Sequence, residues 1–252
     1  MNDDAAALKR VIARTDGPVI VAGYAYAGAV VATASDERVK ALVYVAALAP
    51  DEGETVAQVF YKDETHPKAP QFAPDADGFI WMPDEGFPNA FAQNATDEQI
   101  ALSRAVQRPI AVKSIQQPAP APAWKSKPTW YLLAEEDRMI NPKTQYFMAE
   151  RMKATIRSFA VDHTPLLTAP AEDGNEPATH AFSGRPTMEL NGSGIGGYGE
   201  VKDITRDSSS WASCALWRAP LATSSNRLQY EGARDRSQYE RGSRQSTRRS
   251  PT

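Results

Sequence analysis

Cysteine is almost absent from this chain. Cys214 is the single one in 252 residues, which excludes an internal disulfide framework and any multi-cysteine zinc site. Histidine is nearly as scarce: His66, His163 and His180 are the only three, with no H-x-x-H spacing, so neither a metal nor a cofactor is expected. Long apolar runs are missing too. No stretch of eighteen apolar residues occurs, which speaks against an ordinary transmembrane helix. The first ten residues, MNDDAAALKR, carry two aspartates and no apolar run, unlike a secretory leader. Positive charge is not in excess either. The net charge of -3 argues against the basic face of a nucleic-acid binder. What these absences leave is a cytoplasmic globular protein, with neither nucleic acid nor a membrane as partner and of a length for one domain or two small ones.

The composition changes along the chain. Residues 1–170 hold nine lysines and eight arginines, whereas residues 171–252 hold one lysine and ten arginines. The later part also has twelve serines, nine of the fifteen glycines and only eight Ile, Leu, Val and Met residues. Such a segment cannot bury enough apolar surface to offset its ordering entropy. No helical stripe or strand alternation of useful length is expected after about residue 180. Residues 171–252 are therefore expected to be a disordered tail, and the switch from lysine to arginine suggests a shifted reading frame. Gly194-Ile-Gly196-Gly-Tyr-Gly199 in this tail satisfies G-x-G-x-x-G, but it lacks the preceding strand and following helix of a dinucleotide site. The sequons at Asn94 and Asn191 have nothing else to suggest secretion.

Residues 1–170 alternate helix and strand. Asp3 and Asp4 suit the cap of a helix over 3–15, with Ala7, Leu8, Val11 and Ile12 on one face. Gly17-Pro18 ends it. Residues 19–22 are a short, uninterrupted apolar run, and 39–47 and 129–134 are mostly apolar. They are suited to strands buried on both faces. Residues 155–161 read as a fourth strand. Helices are expected over 29–34 and over 142–152, the latter with proline in its first turn. This is the rhythm of an α/β fold, a mostly parallel sheet with crossover helices. Residues 48–124 interrupt it with a proline-rich stretch of short helical segments, one of them with a capping-type start at Thr96. A connection that long reads as an inserted helical lid or an ordinary helical subdomain.

Between the strand at 19–22 and the next helix the chain reads Gly23-Tyr24-Ala25-Tyr26-Ala27-Gly28. A strand, a sharp turn of small residues and a helix form the setting of a nucleophile elbow. Ala134-Glu-Glu-Asp137-Arg-Met-Ile-Asn-Pro142 follows a later strand, and Val161-Asp162-His163-Thr-Pro165 follows the last one. Elbow, acid and histidine stand in the chain order of one fold. Over about residues 3–170 the sequence resembles the α/β-hydrolase family, in particular its small bacterial branch of esterase-like and hydroxynitrile-lyase-like members. Those carry G-H-S-Y-G-G at the elbow. Here tyrosine stands for the histidine, alanine for the serine, and Ala27 for one glycine.

The resemblance implies a partial α/β-hydrolase fold, with 48–124 as its cap. It makes Ala25 the vacated nucleophile position, Asp137 the acid, His163 the base, and the backbone N–H of Tyr26 an oxyanion donor. Asp137 also fits a plain cap of the helix near Pro142, and His163 an ordinary loop histidine. Trp81 and Trp124 fit either a pocket lining or packing. A methyl group cannot form an acyl-enzyme, so serine catalysis through residue 25 is precluded. His163 with Asp137 retains lyase-like or water-activating chemistry on a small apolar ester, ketone or hydroxynitrile-like molecule. The alternatives are a non-catalytic ligand binder and a truncated product without function. The family places strands and a helix ahead of the helix at 3–15, so the chain is expected to begin late. The strand at 19–22 would then lie at an open apolar edge, which invites self-association.

Overall fold

The computed structural model describes residues 1–169 and four short strands beyond them. The chain divides into two units, Met1–Leu221 and Ala222–Thr252. The second unit, His180, Asn191 and the glycine motif beyond Gly194 lie outside the described residues.

Helix α1 (Asn2–Ala13) leads into β1 (Val19–Tyr24), α2 (Ala27–Val31) and β2 (Val39–Val45). An inserted stretch carries α3 (Val56–Phe60), β3 (Phe79–Ile80), a π-helical turn (Phe87–Phe91), α4 (Asp97–Val106), β4 (Ile110–Ala111) and α5 (Val112–Gln116). Then come β5 (Thr129–Ala134), α6 (Pro142–Arg151), β6 (Thr155–Phe159) and α7 (Pro165–Thr168). The four later strands are β7 (Glu189–Leu190), β8 (Ser193–Gly194), β9 (Val201–Asp203) and β10 (Cys214–Arg218). The main sheet has the order β6-β5-β2-β1-β10-β9. Strands β6, β5, β2 and β1 are parallel, as the alternation of helix and strand predicts, although β6 (TIRSF) is polar and largely exposed.

Alternation fixes which residues meet on each face. Val19, Val21, Leu42, Tyr44, Tyr131 and Leu133 pack into one cluster with α1, α2 and α6. Ile20, Tyr24, Ala41, Val43, Val45, Leu132 and Ala134 form the other. The Tyr131 hydroxyl accepts from the Ala47 N–H at 3.1 Å and donates to the Ala47 carbonyl at 2.5 Å, pinning the exit of β2.

Several expectations shift at the boundaries. Helix α1 begins at Asn2, so Asp3 and Asp4 lie in its first turn rather than at its cap. There they favour the helix through its dipole. Strand β1 runs on through Gly23 and Tyr24, so the turn begins at Ala25. Thr96 does cap α4, in a reciprocal box with Gln99.

The largest correction concerns the open edge. Strand β10 lies antiparallel along β1, from Val19 opposite Arg218 to Gly23 opposite Cys214. Strand β9 pairs with β10 in turn. The side of β1 expected to be bare thus carries a backbone partner. A strand was not expected this late because the tail's composition is polar overall. Cys214-Ala-Leu-Trp-Arg218 is a short local exception, and a ladder needs only backbone groups on each side.

Ion pairs add a pH dependence. Hydrogen bonds from the Arg38 side chain and backbone hold the Asp36 carboxyl down at about 2. Burial pushes the Glu54 carboxyl up, but its hydrogen bonds and pairing with Arg151 outweigh burial and keep it below the usual range. Both groups bind protons less readily in the folded chain. Their contribution is complete above the ordinary carboxylate value of about 4 and vanishes as pH falls through the folded values. The urea midpoint should fall between pH 5 and pH 3, and Arg151→Met should flatten part of that slope. A midpoint independent of pH across this range would contradict the pairing.

Candidate active site

The turn after β1 is built by close approach. A Cβ on Gly23 would come within 2.7 Å of the Ala27 carbonyl oxygen and of Val31 Cγ2. A Cβ on Gly28 would strike the Leu48 carbonyl oxygen and lie 2.9 Å from Ala47 Cβ. Helix α2 can therefore lie this close to β1 and to the exit of β2 only with glycine at both positions. Gly28→Ala should lower stability by about 2 kcal/mol, within the usual cost of overpacking, read as a shift of the urea midpoint. An unchanged midpoint would mean that α2 sits further out.

Between the glycines stands Ala25, with φ of 50°. A left-handed backbone at a non-glycine residue costs on the order of 1–3 kcal/mol and persists only where its surroundings enforce it. Here they do. The Ala25 N–H donates to the Val45 carbonyl at 3.3 Å, and its own carbonyl accepts from Leu48 at 2.9 Å and Gly28 at 3.2 Å. Tyr26 is tied on the other side, its hydroxyl donating to Asp4 of α1 at 2.7 Å.

Asp137 lies in the loop after β5 and is 2% exposed. Its Oδ1 accepts from the backbone N–H groups of Met139 at 2.7 Å and Ile140 at 2.9 Å. Its Oδ2 accepts from Gln145 Nε2 at 2.8 Å and lies 2.7 Å from His163 Nδ1. Asp137 does not cap α6. Asn141 does, accepting from the Lys143 N–H at 2.9 Å. An ionised carboxylate only accepts, so the neutral imidazole carries its proton on Nδ1 and keeps Nε2 as its basic nitrogen. His163 is 3% exposed. Its ring lies against those of Tyr24, at 5.1 Å, and Phe91, at 5.6 Å between centroids.

Ala25, Tyr26 and His163 line one cavity, about 720 Å³ including its open mouth. The segment after β2 supplies much of the remaining wall, including Val56, Phe60, Phe72, Ile80 and Phe91, and the acid loop adds Met139 and Ile140. Apart from His163, Tyr26 and the half-exposed Tyr61, every lining residue is apolar. The Tyr24 hydroxyl is buried without a hydrogen-bond partner among the described residues. Burial, with Asp137 and Asp162 nearby, raises its pKa well above the ordinary phenol value.

Neither candidate tryptophan lines this cavity. Trp124 is buried in the core, while Trp81 is exposed and donates its Nε1–H to Asp75 at 3.1 Å. His66 lies apart from the cavity lining and accepts from the Lys68 N–H at 3.1 Å. Among the described residues, no group of three or more His, Cys, Asp or Glu is placed to hold a metal ion. Nor is any helix there long and apolar enough to cross a membrane.

Three contributors were not singled out in the sequence. Gln145, eight residues after Asp137, carries no signal beyond its place on the inner face of α6. Phe91 belongs to the inserted stretch, where no periodicity points at a site. Asp162 stands beside His163 in the sequence, and that adjacency was the one available signal.

A left-handed residue between a parallel strand and a helix, followed in the chain by a buried acid and then its histidine, is the frame of a hydrolase-type fold. Residues 2–173 match the model of the "Alpha/beta hydrolase family", and the chain belongs to that family. No curated protein matches the chain. Similar solved structures include a polyneuridine aldehyde esterase, 17% identical, with a TM-score of 0.56, covering 65% of this chain and 72% of its own. A methylesterase from Arabidopsis is 19% identical, with a TM-score of 0.53 and coverages of 69% and 71%. A pyrethroid hydrolase from Sphingobium faniae JZ-2 is 18% identical, with a TM-score of 0.53 and coverages of 64% and 69%. At these identities the likeness establishes the fold.

Proposed function

We propose that this chain takes a small, largely apolar ester, ketone or hydroxynitrile-like molecule into the cavity over Ala25. His163, oriented by Asp137, serves as general base there without a covalent intermediate. The observation that carries this reading is the 2.7 Å contact between His163 Nδ1 and the Asp137 carboxylate, on the same cavity as the strained Ala25. Residue 25 occupies the elbow position and has no oxygen to acylate. The base and its orienting acid are both in hydrogen-bonding geometry. The similar solved structures are named as esterases and a hydrolase, which agrees in kind with an ester-like ligand.

In the water-activating form, Nε2 of His163 removes a proton from a water molecule as its oxygen adds to the substrate carbonyl. Asp137 stabilises the imidazolium that forms. The imidazolium then returns the proton to the departing alkoxide. The Tyr26 N–H, directly after the elbow residue, serves as one donor to the developing oxyanion. In the lyase-like form, the same nitrogen takes the proton of a hydroxynitrile's hydroxyl as the carbonyl double bond forms and the bond to the nitrile carbon breaks, and the imidazolium then gives that proton to the departing cyanide. The apolar lining strengthens both steps by excluding water from around the charges.

The Ala25 methyl also favours a second reading, a protein of this fold that binds such molecules without turning them over. His163→Ala separates the two. The enzyme reading predicts a rate that drops by about 10²–10⁴-fold, with ligand affinity changed much less. Affinity retained in both proteins with no turnover in the parent would select the binder.

A further inference from the structure

Asp162 is a buried carboxylate, 0% exposed, that the proposed chemistry does not use. Its two oxygens face different parts of the chain. Oδ1 accepts from the Thr164 N–H at 3.0 Å, the Thr164 hydroxyl at 3.2 Å and the Thr168 hydroxyl at 2.5 Å. These bonds close the loop that presents His163 and fasten it to α7. Oδ2 accepts from the backbone N–H of Asn94 at 3.0 Å. Asn94 is sixty-eight residues away in sequence, just after the π-helical turn whose last residue is Phe91. Phe91 in turn lies against the His163 ring.

Other bonds cross the same seam, among them the Asn94 side-chain amide donating to Glu136 at 3.5 Å and Gln99 Nε2 donating to the Leu167 carbonyl at 3.3 Å. Gln93 Nε2 donates to the Glu136 carbonyl at 2.7 Å, and Arg138 donates to the Asn89 carbonyl at 3.0 Å. The Gln93 and Arg138 bonds come from half-buried side chains and lie where water can replace them. The Asp162–Asn94 bond joins a buried charge to a backbone donor, so its loss is not so easily made good.

We propose that Asp162 is a positioning residue that couples seating of the segment carrying Phe91 to placement of His163. The carboxylate is a two-sided acceptor. One oxygen shapes the histidine loop and the other draws the inserted segment down, so that Phe91 reaches the imidazole. The consequence for catalysis rests on the reading of His163 as the base; the tie itself does not.

Asp162→Asn tests the coupling selectively. A carboxamide has one acceptor oxygen, and the three donors on the Thr164 and Thr168 side claim it. Its NH2 group then faces the Asn94 N–H, donor against donor. Hydrogen exchange followed by mass spectrometry on the full chain should show residues 88–96 exchanging about tenfold faster or more, with residues 142–151 unchanged. Thr168→Val, which removes the bond to Oδ1 and the Thr168 contact with the Thr164 carbonyl but leaves Oδ2 and Asn94 untouched, should leave 88–96 at the parent rate. The low-field His163 Nδ1 proton resonance should broaden in Asp162→Asn as Phe91 withdraws, although Asp137 is intact. Loss of stability alone would not produce that signature. If Asp162→Asn fails to fold, Asn94→Pro, which removes the backbone donor together with the side-chain contact to Glu136, is read in the same way, with Asn94→Ala, which keeps the N–H, as its control.

Unchanged exchange over 88–96, or equal acceleration along the whole chain, would overturn the proposal. Exchange needs no turnover. A catalytically idle His163 would therefore leave the tie standing, and an absent tie would leave the dyad standing.

Discussion

Ala25→Ser should turn this protein into an esterase, raising hydrolysis of a small aryl ester by at least about a thousandfold. Removing a serine nucleophile from a complete triad costs about a millionfold in turnover, so a serine placed beside the proposed His163–Asp137 dyad should recover a large part. Three observations support the expectation. The backbone of residue 25 already has the left-handed conformation of an elbow, φ 50°. Its side chain lines the same cavity as His163. The Asp137 carboxylate accepts four hydrogen bonds, one of them from His163, so the orienting acid needs no rearrangement. The gain should vanish when His163→Ala is added. A gain that survives that second change would mean that the hydroxyl acts without the base. Absence of any gain in Ala25→Ser would mean that the imidazole and the elbow are not in register.

Removing Cys214–Arg218 should lower the melting temperature by about 10 °C and make the protein associate with itself. Strand β10 covers five residues of β1, from Val19 to Gly23. Losing about three net hydrogen bonds at roughly 1 kcal/mol each would shift Tm by about that amount in a chain of this size. Strand β1 leads directly into Ala25, so an unpaired β1 would also loosen the elbow. The shortened chain would then carry the open apolar edge that the family's strand order implies for β1. Calorimetry and sedimentation at two concentrations read both effects. An unchanged Tm with a monomeric shortened chain would show that β10 contributes nothing to the sheet.

The central strands and the order of the site loops were legible because both depend on local signals. Val19-Ile-Val-Ala is an uninterrupted apolar run and Thr129-Trp-Tyr-Leu-Leu-Ala is mostly apolar, which suits strands covered on both faces. Gly23 and Gly28 bracket a turn that must bring a helix against a strand, and the structure shows what a side chain at either position would strike. The contact between Asp137 and His163 spans twenty-six residues. It was reached through resemblance to a family and not through pattern, since no periodicity joins two loops.

Other features had no local signal at all. Strand β10 is specified by a partner nearly two hundred residues earlier in the chain, and a composition average hides five residues among eighty. The four-way hold on Asp137 comes partly from backbone N–H groups, which every sequence has. Asp162 shows the limit most clearly. Its neighbour in sequence identifies it, but its role depends on Asn94, and only folding of the inserted stretch brings that N–H to the carboxylate.

The most direct test of a vacated elbow beside an intact dyad is covalent labelling with a small fluorophosphonate, read by intact-protein and peptide mass. Phosphonylation needs a serine oxygen, an activating histidine and room beside both. Ala25→Ser should gain one adduct on the peptide that contains residue 25. The parent protein and the Ala25→Ser, His163→Ala double variant should gain none at that peptide. No adduct on Ala25→Ser, or an equal adduct with His163 removed, would contradict the account.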